Sequence, residues 1–190
     1  MKKRLAFGIG SGLVLAAVAG WAAIGVNSGL AVGEAVSAFE PTHVTGPDKG
    51  TNTCPVCKYG ATSAVQVWVN GDSMANVAKI ASTLEKRIDA AGTKNLKSFV
   101  LFVAKPGNEG DLSKKLEKVA SDNNLKYVAL CYVPKSDESV GVYKINTESD
   151  VKNTVLVYTH RKVTDKFVNL KADEEGLASL NSAVDKITAK

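Results

Sequence analysis

The sequence predicts an α/β protein in which a mixed sheet is covered by helices on both faces. Strand-like apolar runs alternate with amphipathic helical segments through the middle of the chain, and two later β-rich runs flank a short polar turn. Strands separated by helices imply right-handed crossovers and parallel pairing, whereas a hairpin adds antiparallel strands. After an N-terminal extension, about 160 residues remain, a size that suits one domain.

The first predicted elements surround a segment rich in glycine, proline and cysteine. A short apolar stretch at 38–39 leads through residues 41–45 as the first strand. Residues 46–60 contain several glycines and prolines, which predicts an ordered loop rather than a helix or strand. Residues 64–69 are β-branched and aromatic and lie between turn-forming residues, so they are predicted to be the next strand.

A helix should follow this strand directly. Asp72 or Ser73 can cap it, because a short side-chain oxygen accepts from the free N–H groups of the first turn, and Gly92 supplies the end. Its buried face is predicted from the three-and-four spacing of Val77, Ile80, Ala81, Leu84 and Ile88. Residues 99–103 form another apolar run of strand length, ended by the lysine, proline and glycine at 105–107.

The remaining elements follow the same alternation until the hairpin. The predicted order is a helix from about Asp111, a strand at 127–133, one or two helical turns within 136–145, hairpin strands at 154–158 and 163–170 around the turn 159–162, and a helix from Asp173 to about Ile187.

The N-terminus is predicted to direct export. Three cations at positions 2–4 precede an uncharged apolar run and then small residues, the three-part form of a secretory signal. Residues 1–31 are therefore interpreted as a signal peptide cleaved near 29–31 or 19–22, or as a signal anchor spanning the membrane with residues 5–26. Either alternative places a domain at 32–190 in the periplasm or outside the cell.

The charge balance argues against a nucleic-acid-binding protein. The full chain has 24 Lys and Arg against 19 Asp and Glu, a formal net charge of +5. Removal of the three N-terminal cations leaves 21 against 19, so the predicted domain is close to neutral. Proteins that bind nucleic acid usually carry a strong basic bias, and the sequence predicts no such partner.

Two cysteines in a Cys-Pro-Val-Cys motif are the candidate catalytic residues. Cys54 and Cys57 can close a small disulfide ring, and such rings can exchange with other thiols. Pro55 restricts the loop, and Lys58 supplies a nearby cation that would favour a thiolate. The alternative is a structural disulfide that fixes the loop, as expected of cysteine pairs outside the cytoplasm. Cys131 lies in an apolar strand and is predicted to be a buried thiol.

Metal and cofactor chemistry receive less support. Tetrahedral zinc would need two further ligands, and only His43 and His160 could add imidazole, so a soft-metal site remains the weaker alternative. His43 is interpreted as a polar residue near a strand end and His160 as a solvated turn residue. A haem attachment motif would need histidine at position 58. No nucleophile elbow, phosphate loop, metalloprotease helix or dinucleotide fingerprint is present, and no cofactor is expected.

The element order and the motif at Cys54 to Cys57 resemble the thioredoxin-like superfamily over nearly the whole predicted domain. The lead-in at 32–39 and the stretch 137–145 are similar to its peroxiredoxin and thiol-disulfide branch. In thioredoxins the dithiol opens the helix after the central strand, but residues 70–76 contain no cysteine here. The family's cis-proline should fall near 153–154, and no proline is there.

The resemblance implies that the motif is displaced to the opposite sheet edge, near the hairpin turn that carries His160. It also implies thiol-disulfide exchange with the thiols or disulfides of a partner protein. The more exposed cysteine would attack the partner, and the family's order points to Cys54. The alternative implied function is a non-catalytic binding module on the same scaffold, so whether the chain is an enzyme stays open.

Overall fold

A computed structural model describes residues 26–189, which contain six strands and five helices. The strands are β1 (Thr42–His43), β2 (Ser63–Val69), β3 (Leu96–Ala104), β4 (Ala129–Pro134), β5 (Asn153–Thr159) and β6 (Lys162–Val168). The helices are α1 (Pro55–Tyr59), α2 (Met74–Ala91), α3 (Glu109–Asp122), α4 (Glu138–Val142) and α5 (Glu174–Thr188).

All six strands join one mixed sheet in the order β1-β4-β3-β2-β5-β6. The three strands β4, β3 and β2 are parallel to one another, as strands joined by helical crossovers should be. Strand β5 is antiparallel to both β2 and β6, and β1 is antiparallel to β4. The predicted mixed sheet with a late hairpin is therefore confirmed.

Helices and the N-terminal segment cover the two faces of the sheet. Helices α2, α3 and α5 pack their apolar sides on one face and form an aliphatic core. The other face carries an aromatic core, in which Phe39, Trp68, Phe99 and Tyr143 are buried beneath α1, α4 and the segment that precedes β1. The prediction of helices on both faces is confirmed.

Helix α2 has the boundaries and the buried face predicted from its pattern. Ser73 is the N-cap, and its hydroxyl accepts from the N–H of Asn76 at 3.2 Å. Gly92 ends the helix with a φ of 86°, a left-handed conformation that glycine adopts without a steric cost. The residues buried against the sheet are Val77, Ile80, Ala81, Leu84 and Ile88.

The hairpin between β5 and β6 is also confirmed. His160 and Arg161 occupy its turn with φ values of 49° and 62°. Two consecutive left-handed residues give the turn a twist that matches the twist of the strands it joins. The N–H of His160 donates to the carbonyl of Ala61 at 3.2 Å, so the turn lies beside the approach to β2.

One predicted loop contains a short helix. Residues 55–59 form α1 within the segment expected to lack regular structure. Pro55 is at the first helical position, where its fixed φ suits the helix and its missing N–H costs no hydrogen bond. The segment rich in glycine and proline is therefore a loop that contains one short helix.

Strand β4 begins at Ala129, two residues later than predicted. The carboxylate of Glu85 on α2 accepts hydrogen bonds of 2.7–3.1 Å from the backbone N–H groups of residues 126–128. These donors are turned toward the helix instead of a neighbouring strand, so the sheet starts after them.

The N-terminal segment joins the domain from Ser28 onward. The hydroxyl of Ser28 lies 2.6 Å from that of Thr154, and Leu30 is buried. Gly29 passes so close to β5 that a Cβ there would lie 2.6 Å from the Thr154 methyl group. No helix within residues 26–189 is both long and apolar enough to cross a membrane. Residues 1–25 of the predicted signal or anchor lie outside the described part.

Candidate functional site

Cys54 and Cys57 form a disulfide at the start of α1, with their Cα atoms 5.3 Å apart. Cys54 caps the helix, and its Sγ accepts from the N–H of Cys57 at 3.1 Å. The two cysteines differ in accessibility, because Cys57 is exposed and Cys54 is half-buried. An incoming thiol therefore meets Cys57 first.

The disulfide is held on the aromatic face of the sheet by its neighbours in α1. Val56 is only 2% exposed and packs in the aromatic core. Tyr59 lies with its ring centroid 6.2 Å from that of Phe99 on β3. The burial of Val56 and the packing of Tyr59 against Phe99 fix the backbone that carries both sulfur atoms.

The disulfide lines a groove of about 440 Å³, which we call the disulfide groove. One wall is the segment 38–40, and the other is α4 with its N-cap, where Asp137, Glu138, Ser139 and Val142 line the groove. Both cysteines contribute to the lining, so a partner segment seated in the groove would contact the S–S bond. Ligand pockets in proteins are commonly 300–1,000 Å³, and this groove falls within that range.

The wall at 38–40 is fixed by aromatic packing. The Phe39 ring centroid lies 5.5 Å from that of Trp68 and 5.3 Å from that of Tyr143. The hydroxyl of Tyr143 donates to the carbonyl of Ser37 at 2.5 Å, and burial raises the pKa of this phenol to about 12. Tyr143 therefore stays neutral at ordinary pH and keeps its donor.

Lys58 does not direct its charge to the cysteines alone. Its ammonium group pairs with Oδ1 of Asp48, whose side chain is 10% exposed. The other carboxylate oxygen, Oδ2, is buried and has no hydrogen-bond partner among residues 26–189. The Lys58 charge, which the sequence predicts to favour a thiolate, is thus paired with the Asp48 carboxylate.

The third cysteine, Cys131, takes no part in the disulfide. Cys131 is fully buried on β4, as predicted, and burial raises the pKa of its thiol. Its Sγ lies 3.3 Å from Nδ1 of His43, and Nε2 of His43 lies 2.8 Å from the carbonyl oxygen of Thr53. The imidazole thus connects β4 to the residue that precedes Cys54.

The role of His43 was missed from the sequence. His43 is 1% exposed and lies directly opposite Cys131 in the β1–β4 pair. Strand β1 has two residues, too few for an alternating pattern, and its antiparallel pairing with β4 leaves no signal in the sequence. The sequence therefore predicts only that His43 is a polar residue near a strand end, and not that it is buried against Cys131.

His160 is exposed in the hairpin turn, as predicted, and is not among the residues that line the disulfide groove. The approach to β2 does lie beside the turn, through the hydrogen bond from His160 to Ala61. Between the cysteines and that point, however, α1 carries the chain over the sheet face. The sulfur atoms consequently face the segment 38–40 and α4.

The position used by thioredoxins is occupied by polar contacts. Asp72 Oδ2 accepts from the side-chain amides of Asn76 at 2.7 Å and Asn153 at 2.6 Å. Both amides also donate to the carbonyl of Leu170, and Asn153 Oδ1 accepts from the Leu170 N–H at 2.9 Å. Residues 26–189 contain no cis peptide bond. This end of the sheet is joined by hydrogen bonds rather than a dithiol.

The part of the chain that the structure describes has no group of three or more His, Cys, Asp or Glu side chains placed to hold a metal ion. His43, which the sequence offered as a ligand, instead contacts Cys131 and the Thr53 carbonyl.

Solved structures with a similar fold include several proteins whose names refer to thiol chemistry. A Bacteroides thetaiotaomicron protein that has been proposed to be a disulfide isomerase matches with a TM-score of 0.62 and 14% identity, covering 87% of this chain and 96% of that one. The thioredoxin domain of a Bacteroides vulgatus thiol-disulfide oxidoreductase matches with a TM-score of 0.55 and 14% identity, covering 82% and 99%. A Chromobacterium violaceum thiol peroxidase matches with a TM-score of 0.55 and 13% identity, covering 85% and 90%.

The fold is therefore thioredoxin-like, and its structural neighbours include thiol-disulfide oxidoreductases and peroxiredoxins. Within this fold, the chain carries its CxxC disulfide in the loop before the central strand β2. No protein-family model matches the sequence, and no curated protein sequence matches it.

Proposed function

We propose that the protein exchanges disulfides with a partner protein through Cys54 and Cys57. The observation that carries this proposal is the position of the disulfide: it lines an open groove, with Cys57 exposed, on a thioredoxin-like domain. A disulfide that served only as a staple has no need of such access. The similarity of the fold to thiol-disulfide oxidoreductases agrees with the proposal.

The exchange proceeds in two displacements. A partner thiolate attacks Cys57 Sγ, a mixed disulfide forms, and Cys54 leaves as a thiolate. A second partner thiolate then attacks the partner sulfur of the mixed disulfide and releases Cys57. The partner's two thiols are oxidised to a disulfide, and the two electrons and the two protons end on Cys54 and Cys57. The reverse sequence reduces a partner disulfide.

The hydrogen bond to Cys54 favours this order of attack. The N–H of Cys57 already points at Cys54 Sγ, so it stabilises the charge that appears there when the S–S bond breaks. Accessibility and leaving-group stability both assign the mixed disulfide to Cys57. The family's order instead assigns it to Cys54, and the two assignments are open to direct comparison.

Single-cysteine variants in a Cys131→Ser background test the assignment. The reduced variants Cys54→Ser and Cys57→Ser are mixed with an oxidised peptide disulfide, and the mixed disulfide is followed by mass spectrometry. Cys54→Ser should react about tenfold faster, because it retains the exposed thiol. Faster reaction of Cys57→Ser would support attack by Cys54, and no reaction by either variant would contradict exchange.

A structural role for the disulfide is the second candidate, favoured by the burial of Pro55 and Val56 between the cysteines. The reduction potential separates the two functions. A potential below about −300 mV without exchange activity is typical of a structural disulfide, whereas a higher potential with exchange activity supports the proposed function.

We further propose that the domain works outside the cytoplasm. It is either exported by a signal peptide that is then cleaved or held at the membrane by an uncleaved anchor at residues 5–26. The basic start and the apolar run support export, and a disulfide persists best in an oxidising compartment. Fractionation of cells, followed by mass measurement of the recovered chain, distinguishes a cleaved from a retained N-terminus. Recovery of the full chain from the cytosol with both thiols reduced would contradict the proposal.

A further inference from the structure

The disulfide groove is strongly acidic beside a disulfide in a nearly neutral domain. Glu40 lies on one wall and Asp137 and Glu138 on the other, and none of the lysines and arginines within residues 26–189 lines the groove. Over residues 32–190, by contrast, cations outnumber acids by 21 to 19. The negative charge is therefore a property of this groove and not of the domain.

These carboxylates are not neutralised within the domain. Among residues 26–189, neither Glu40, Asp137 nor Glu138 forms a salt bridge, although six other acidic residues do. Asp137 is used in part, since its Oδ1 accepts from the N–H and the hydroxyl of Ser139 at the start of α4. Glu40 and Glu138 are exposed and make no side-chain hydrogen bond within those residues.

We propose that the disulfide groove selects partner segments in which the reactive cysteine is flanked by lysine or arginine. A segment that presents a thiolate to Cys57 must lie between the two walls, because both cysteines line the same groove. Basic residues beside the cysteine would then face Glu40 and Glu138. An acidic segment would meet the same carboxylates and be repelled.

The basic flanks also assist the chemistry on the partner's side. A neighbouring cation lowers the pKa of a cysteine and increases its thiolate fraction, and the thiolate is the attacking species. Without such a cation, a thiolate entering a groove lined by three carboxylates would be disfavoured. Complementary charge therefore acts on both the encounter rate and the protonation state.

This inference rests on the proposed exchange, so its test must separate the two. Three reduced peptides, each with one cysteine flanked by arginine, by serine or by glutamate, are reacted with the oxidised protein. The second-order rate of mixed-disulfide formation is compared with the rate toward a small aromatic disulfide, which corrects for each peptide's own thiolate fraction. The corrected rates should fall in the order arginine, serine, glutamate, and the spread should shrink at high salt.

Charge removal in the groove provides the second arm. The double variant Glu40→Gln/Glu138→Gln should slow the arginine peptide about fivefold and speed the glutamate peptide, with a smaller increase for the serine peptide, whose thiolate is the only anion that it brings to the groove. The matched control Asp89→Asn/Glu175→Gln removes two exposed carboxylates from α2 and α5 on the other face of the sheet. It should leave all three rates unchanged.

The possible results distinguish a failure of charge selection from a failure of the proposed disulfide exchange. Equal corrected rates for the three peptides, or equal effects of the groove and control variants, would overturn the charge selection and leave exchange intact. An oxidised protein that reacts with none of the peptides would overturn the proposed exchange and the charge selection together.

Discussion

The Cys131 thiol lies 3.3 Å from Nδ1 of the buried His43 imidazole, whose Nε2 lies 2.8 Å from the carbonyl oxygen of Thr53. When Nε2 carries the proton and donates to Thr53, Nδ1 is left to accept from the Cys131 S–H. Both imidazole nitrogens then have a hydrogen-bond partner, and the residue before Cys54 is connected to strand β4. The buried Cys131 thiol and the loop that carries the Cys54–Cys57 disulfide are thereby linked without a covalent bond.

Replacement of His43 by alanine should destabilise the domain by about 1–3 kcal/mol, because the Thr53 carbonyl and the Cys131 thiol lose their buried partner. The free energy of unfolding in urea, measured on the oxidised protein, gives the size of the loss. His160→Asn is the matched control, because His160 is exposed and asparagine also adopts the left-handed conformation of this turn, and its effect should stay within about 0.5 kcal/mol. Equal losses for the two variants would show that the His43 contacts add no stability.

Cys131 should resist thiol reagents in the folded protein. The residue is fully buried and burial raises the pKa of its thiol, so neither access nor thiolate is provided near neutral pH. The oxidised native protein should take up no label from an aromatic disulfide reagent, and the protein in denaturant should take up one equivalent. Rapid labelling of the native protein would mean that β4 opens readily or that the Cys54–Cys57 disulfide has been reduced.

The domain should lose stability in alkali. Burial raises the pKa of both Tyr59 and Tyr143 to about 12, above the usual value of about 10 for a tyrosine. Each neutral phenol therefore contributes stability that is complete below pH 10 and is lost as the pH rises toward 12. The free energy of unfolding, followed from pH 8 to 12, should stay flat at first and then fall.

Tyr143→Phe provides the check on that assignment, because it removes one of the buried phenols whose pKa is raised, a group that also includes Tyr59 and Tyr158. Its stability below pH 10 should be lower by about 1 kcal/mol, through loss of the hydrogen bond to Ser37, and its decline above pH 10 should be less steep. A decline as steep as that of the unaltered protein would assign the alkaline loss to other groups.

A chain that begins at Val32 should be less stable than one that begins at Val26. The shorter chain lacks the burial of Leu30, the hydrogen bond between Ser28 and Thr154, and the bond from the Gly29 N–H to the Lys144 carbonyl at 2.8 Å. Together these contacts are worth about 3 kcal/mol. Thermal and urea unfolding of the two chains measures the difference. Equal stability would place the first essential contact of the domain after residue 31.

The elements that the sequence predicted well are those whose pattern is local and long. Helix α2 has five apolar residues on one face, a capping serine and a terminal glycine, and all of these signals agree. The turn at His160 lies between two β-rich runs, so its position was also readable. In both cases, the stabilising contacts involve residues close together in the chain or repeat at a regular spacing.

The candidate site was less predictable because its parts are distant in sequence. The cysteine motif was evident, but the groove beside it joins residues 38–40 to α4, about a hundred residues away. The contacts of His43 depend on a two-residue strand paired with β4. Neither arrangement leaves a periodic pattern, since each is set by the packing of the aromatic core and not by local propensity.

The Cys-x-x-Cys motif cannot be moved from the loop before β2 to the start of α2 without loss of other contacts. A Cys-x-x-Cys introduced at 73–76 would delete the Ser73 cap and the Asn76 amide together, leaving the Asp72 carboxylate and the Leu170 carbonyl with fewer donors. The domain would lose stability on gaining a dithiol at the position that the thioredoxin resemblance implies. Engineering of this scaffold toward new redox chemistry therefore has its natural starting point at the loop before β2, where the surrounding fold already accommodates a disulfide.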